Sequence, residues 1–134
     1  NNVTSVSLAE LLKSSDVVTL HLPLDKLTKN IINKERLNLF KSDAVLINLA
    51  RGGLVDEAAL KQSLIENKLA GAALDVYDQE PLPKDHSLRN INNVILTPHI
   101  GYVSAEAYEK FFCGYVKVIE SFLNGKPINE ITLS

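Results

Sequence analysis

Residues 44–64 read AVLINLARGGLVDEAALKQSL. The apolar run from Ala44 to Ala50 is short and near-continuous, which predicts a parallel strand covered on both faces. Arg51-Gly52-Gly53 breaks the run, and the paired glycines predict a turn taken with positive φ. Asp56 then opens a helical pattern in which Leu60 and Leu64 recur one turn apart. The stretch is therefore strand, tight turn and helix, with an arginine fixed at the strand's carboxyl end. Ligands of open parallel sheets bind along that edge, so Arg51 stands where an anion can be held. Taken alone, Arg51 reads more readily as the partner of a surface carboxylate, but the same geometry recurs along the chain.

Upstream, Ser7-Leu8-Ala9-Glu10 is a capping box, in which serine and glutamate satisfy each other's free amides at the start of a short helix reaching about Lys13. Asp16 to Leu22 (DVVTLHL) is rich in β-branched residues and stops at Pro23, which predicts a buried strand. After a polar connection through Asp25 and Thr28, Asn33 caps a second short helix, KERLNLF, with Leu37 and Phe40 on one face. Downstream, Leu69-Ala70-Gly71 ends the central helix and Ala72 to Val76 forms a third strand. Residues 77–92 carry two prolines, several charges and no period, and read as a long loop, a class of segment that is often functional. Val94 to Thr97 is a fourth strand, cut off by Pro98 and followed by His99-Ile100-Gly101. Ser104 caps the longest helix, where Tyr108, Phe111, Phe112, Tyr115, Ile119, Phe122 and Leu123 recur at helical spacing before Asn124-Gly125 and Pro127 stop it. That stripe reads as packing surface.

With 134 residues, 46% of them hydrophobic and 22% charged, the chain is long enough for one core and too short for two full domains. Fourteen basic against sixteen acidic residues give a net charge of -2 without a basic block, which argues against nucleic acid or an anionic membrane as partner. Cys113 has no second cysteine to bridge, which fits a reducing cytoplasm and rules out a thiolate metal cluster within the chain. No apolar run approaches the roughly 18 residues of a membrane span, and the start Asn1-Asn2-Val3-Thr4 is too polar for a signal peptide. Methionine is absent altogether, which leads to the expectation that the chain is excised from a longer protein.

Strands alternating with helices imply right-handed crossovers and a parallel sheet whose strand exits share one edge. Pro23, Arg51, Glu80 and His99 each follow such an exit within a few residues. An arginine, a carboxylate and a histidine on one rim suit acid-base chemistry on an anionic carbonyl compound. Singly, Glu80 reads as a solvated loop acid and His99 equally well as a structural histidine. His21 reads as structural and His86 as exposed loop. The histidines at 21, 86 and 99 show no metal-ligand spacing, so no metal site is expected.

The strings LINLARGGLVDEAAL, GAALDVYDQEP and NVILTPHIG resemble, in order and spacing, three consecutive signatures of the D-isomer-specific 2-hydroxyacid dehydrogenases, and DVVTLHLPL is similar to the segment that precedes them. The resemblance covers nearly the whole chain. It implies an α/β fold, the second half of a Rossmann-type doubly wound parallel sheet with about four strands and flanking helices. It also implies NAD or NADP as cofactor, a small 2-keto or 2-hydroxy acid as substrate, and hydride transfer between them. On the family's pattern Arg51 binds the substrate's carboxylate and carbonyl, Glu80 supports the histidine, and His99 is the acid-base group. Asp75 is placed against the nicotinamide carboxamide, while Leu22, Pro23, Thr28, Leu49, Ala50 and Gly101 line the cofactor together with Arg51 and His99.

The sequence departs from the family in having no G-x-G-x-x-G turn and no acidic residue after it for the adenine ribose. The expectation is accordingly that residues 1–134 are the carboxyl-terminal portion of an NAD-binding domain, with residues 104–134 as its final helix and tail, inactive alone. Some relatives are NAD-sensing corepressors, so a binding module without turnover stands as the alternative. The strand from Asp16 to Leu22 is expected to have an open edge and the aromatic helix an uncovered face, which together predict a homodimer.

Overall fold

A computed structural model describes residues 3–131. The polar start at Asn1-Asn2 and the last three residues of the tail lie outside the described part. The chain divides between Gly101 and Tyr102 into two units.

In the first unit, Leu8–Ser14 (α1) starts where Ser7 Oγ accepts the Glu10 amide at 3.2 Å, half of the expected capping box. Val17–Leu20 (β1), Lys34–Leu37 (α2), Val45–Asn48 (β2), Glu57–Ile65 (α3), Gly71–Leu74 (β3) and Val94–Leu96 (β4) follow. The four strands form one parallel sheet in the order β1-β2-β3-β4, the Rossmann-type α/β arrangement expected. The register runs Val18, Leu46, Ala72, Val94 across the sheet, and Thr19, Ile47, Ala73, Ile95 one row on. Asn33 and Asp56 cap α2 and α3 as expected, through Arg36 N–H at 3.0 Å and Ala59 N–H at 2.9 Å.

One core holds the unit together. Leu12 of α1, Leu37 of α2, and Leu60 and Leu64 of α3 join Val18, Leu20, Leu46, Ala72 and Leu74 of the strands. Each such leucine contributes roughly 1.5–3 kcal/mol relative to exposure. The three helices all feed this one cluster, and the strand residues facing it are the buried ones. The central strand β2, expected to be covered on both faces, is buried on one face and half-buried on the other; in the outer strands Val17 and Ile95 are 56% and 67% exposed. As expected, β1 is an outer strand and its far edge is unpaired among the described residues.

Three further expectations change. Neither Gly52 nor Gly53 has positive φ; Gly52–Leu54 is a 3₁₀ turn, and the need for glycine at 52 is spatial. A Cβ there would lie 2.0 Å from the Tyr77 carbonyl carbon. The central helix stops at Ile65 with Asn67 in the left-handed region at φ 53°, and Gly71 instead begins β3, where a Cβ would meet Asn93 O at 2.9 Å. The loop of residues 77–92 contains a short 3₁₀ helix, Ser87–Asn90, that His86 caps. His86 is thus half-buried and also lies 3.5 Å from Glu57, so it is not the exposed loop residue expected.

In the second unit, Ser104 Oγ accepts the Ala107 amide at 3.1 Å and opens Ala105–Leu123 (α4), which ends at Gly125 with φ 69°. No residue of α4 is buried, and Phe112, Tyr115 and Phe122 are 62%, 61% and 70% exposed. Among the described residues no helix is long and apolar enough to cross a membrane.

Candidate active site at the carboxyl edge of the sheet

The strand exits converge as the parallel topology requires. β2 delivers Asn48, 1% exposed, whose Oδ1 accepts the Ala50 amide at 3.1 Å and whose Nδ2 donates to Arg51 O at 2.8 Å. The only polar side chain in an apolar strand is thereby spent on shaping the turn that presents Arg51. Burying an amide costs free energy unless it is hydrogen-bonded, and here both ends are. Arg51 itself is exposed, with Nη1 donating to Ala50 O at 2.6 Å. It borders a shallow cavity with His21, Leu22, Pro23, Leu24 and Ala50. Thr28 donates its hydroxyl to Pro23 O at 2.7 Å, which ties the 23–28 connection against the end of β1. Asp25 caps the same turn, and the Thr28 and Leu27 amides on its carboxylate hold its pKa below the usual range.

β3 and β4 carry the second group of residues. Glu80 Oε2 accepts from His99 Nδ1–H at 2.6 Å, and Glu80 Oε1 accepts the Tyr77 amide at 2.9 Å. The bond from His99 lowers the Glu80 pKa, the Tyr77 amide adds to this, and partial burial opposes it. A carboxylate on Nδ1 leaves Nε2 as the nitrogen that can exchange a proton with a ligand. His99 itself is in the left-handed region at φ 57°, a conformation that costs a non-glycine residue roughly 1–2 kcal/mol. Asp75 holds it there. Its carboxylate accepts the Ile100 amide at 2.9 Å, the Gly101 amide at 2.7 Å and the Thr97 hydroxyl. Asp75 is 3% exposed; burial works against its charge, but these three bonds outweigh it and the pKa is lowered. A Cβ at Gly101 would meet Leu49 at 2.8 Å and Asp75 Oδ2 at 3.0 Å, so glycine lets the turn lie on β2's exit.

Glu80, His99, Asp75, Leu49 and Gly101 are therefore brought into one connected group, and Leu22, Pro23, Ala50 and Arg51 into another, with Thr28 behind Pro23. Glu80 and His99 border a cavity of roughly 530 Å³, which Arg51 does not line. The two groups are joined at Gly52, whose Cα packs on the Tyr77-Asp78 backbone. Sequence reasoning missed Asn48, Tyr77 and Thr97. A lone polar residue inside an apolar run was the available signal for Asn48; the other two offered none, since their roles lie in bonds between strands.

The residues present fit a dinucleotide's nicotinamide end. Leu22 and Leu49, 41% and 47% exposed just past the ends of β1 and β2, offer apolar surface that a planar ring can cover, and Leu49 lies beside the Gly101 turn that Asp75 fixes.

Comparison with known proteins gives the family of the chain. The sequence profile described as D-isomer specific 2-hydroxyacid dehydrogenase, NAD binding domain, matches residues 1–101, and the chain belongs to that family. Among individual relatives, a glycerate dehydrogenase of Methylorubrum extorquens is 46% identical over 129 residues, covering 94% of this chain and 41% of the relative. A glyoxylate reductase of Thermofilum pendens is 49% identical over 109 residues, covering 81% and 32%. The solved structure of D-lactate dehydrogenase with NAD+ from Lactobacillus jensenii superposes with a TM-score of 0.87 at 32% identity, over 96% of this chain and 43% of that one. The chain thus spans less than half the length of these relatives.

Proposed function

We propose that the chain is the carboxyl-terminal, nicotinamide-side portion of an NAD- or NADP-dependent dehydrogenase acting on a small 2-keto or 2-hydroxy acid, and that residues 104–134 are its closing helix and tail. The observation that carries this reading is the Glu80–His99 pair at 2.6 Å, set on the same sheet edge as Arg51.

When bound, the nicotinamide supplies or accepts the hydride. Arg51 binds the acid's carboxylate through paired charge-assisted bonds and polarises the adjacent carbonyl. His99, protonated, gives its Nε2 proton to the carbonyl oxygen as negative charge develops there, and Glu80 stabilises the imidazolium and fixes the ring. In the reverse direction neutral His99 takes the hydroxyl proton. Leu22, Pro23, Thr28, Leu49, Ala50 and Gly101 form the cofactor side, and Asp75 serves it by fixing the Ile100 and Gly101 amides.

We place the protein in the cytoplasm, in keeping with its single, exposed Cys113. We also propose that it is a homodimer, supported by the exposed aromatic residues of α4. The activity is tested by following NADH and NADPH oxidation with glyoxylate, hydroxypyruvate and pyruvate in the protein that carries this segment. Turnover of at least one acid is expected; cofactor binding with no turnover of any would replace the reading with a binding module.

A further inference from the structure

We propose that Tyr77 is a positioning residue for His99, its hydroxyl fixing the Thr97–Pro98 peptide from which the histidine extends. The proposal rests on the reading of His99 as the acid-base group and adds a residue that does not itself touch the reacting atoms. Tyr77 is 6% exposed, and its Oη lies 2.9 Å from Leu74 O and 2.8 Å from Thr97 O. A phenol has one proton to give. Leu74 O also accepts the ladder bond from Thr97 N–H at 3.0 Å, so the hydroxyl bridges the two carbonyls and ties Thr97 O to the exit of β3. That carbonyl belongs to the peptide bond entering Pro98, which has no N–H of its own to anchor.

Thr97 is thereby gripped at three points: its amide by Leu74, its hydroxyl by Asp75 and its carbonyl by Tyr77. The main-chain N–H of Tyr77 meanwhile donates to Glu80 Oε1 at 2.9 Å. One residue therefore holds both members of the pair, Glu80 through its amide and His99 through its hydroxyl. Burial, with the Asp75 charge adding to it, raises the phenol's pKa, so the hydroxyl stays a donor through the physiological range. Phenylalanine at this position keeps the ring and the amide but releases the Thr97 carbonyl.

The test uses the 134-residue chain with ¹⁵N-labelled histidine, reading the His99 Nδ1 proton and its exchange with water; His21 and His86 serve as internal references. Tyr77→Phe is expected to speed that exchange about ten-fold, the scale of one lost hydrogen bond, with the other two histidines unmoved. Val94→Ala, which weakens β4 without touching either bond, is expected to leave it within two-fold or so. Unchanged exchange in Y77F overturns the proposal, and so does equal acceleration in V94A. Should Y77F fail to fold, 3-fluorotyrosine at 77 keeps the hydroxyl as a stronger donor; slower exchange supports the proposal and unchanged exchange overturns it. These readouts need no turnover, so they stand or fall apart from the kinetics of His99→Ala. In the active protein Y77F should lower kcat with little change in KM.

Discussion

The Glu80 carboxylate faces two ways: one oxygen lies 2.6 Å from His99 Nδ1 and the other 2.9 Å from the Tyr77 amide, so the orientation of the imidazole is set by the backbone at the exit of β3. Glu80→Gln keeps the shape of this contact and removes its charge. The variant should reduce kcat roughly 10- to 100-fold, since the imidazolium loses its counter-ion. Steady-state kinetics of the variant in the active protein check this; a near-normal kcat would show that the charge of Glu80 is not used in the chemistry.

Asp75 gives a stability prediction with a definite sign. Its folded pKa is depressed below the ordinary 3.8, so its contribution is fully present above that value and is lost as pH falls through the lower folded value. Asp75→Asn should therefore be less stable at pH 7, by about 2–3 kcal/mol for charged bonds to two amides and a hydroxyl, and should show a flatter loss of stability below about pH 4. Urea unfolding at pH 7 and at pH 3 separates the two effects. Equal destabilisation at both would remove Asp75's charge from the account of the His99 turn.

Gly52 and Gly53 are neighbours with different demands. A Cβ at 52 would fall 2.0 Å from Tyr77 backbone, whereas at 53 its nearest neighbour is the far end of the Leu24 side chain at 3.0 Å. Gly52→Ala should destabilise by about 1–3 kcal/mol and displace the segment bearing Glu80, while Gly53→Ala should cost less than about 1 kcal/mol. Paired urea midpoints decide it, and similar values for both would mean the turn yields more easily than its packing implies.

The proposed dimer is open to sedimentation. At high micromolar concentration the protein should sediment as a dimer, and Phe112→Glu should shift it toward monomer. A single monomeric species in the unsubstituted protein would end the proposal.

Local chemistry was legible where one residue acts on its own neighbours. Ser7, Asn33, Asp56 and Ser104 each cap the helix they were expected to cap. The strands and their parallel order followed from short apolar runs alternating with helical ones. What a neighbour imposes from a distance was not legible. Gly52 looks like a turn glycine in sequence, yet it is required by Tyr77, which the sheet brings alongside. The near-continuous apolar strand β2 looked doubly covered, yet α1, α2 and α3 all contribute to one core and leave its alternate residues half-buried. His86 looked like a loop residue because Glu57 is remote in sequence. The candidate rim was readable as a set of residue types, and its internal wiring through Asp75, Thr97 and Tyr77 was not, since every one of those bonds crosses between strand exits.

The most direct test of the central assignment compares His99→Ala with Arg51→Lys in the active protein that carries this segment. His99→Ala should lower kcat by about 100-fold or more with KM little changed, because an acid-base group acts on the transition state. Arg51→Lys should chiefly raise KM for the keto acid, because lysine keeps the charge but not the paired geometry. Near-normal kinetics in both variants would contradict the assignment of His99 as acid-base group and Arg51 as substrate clamp.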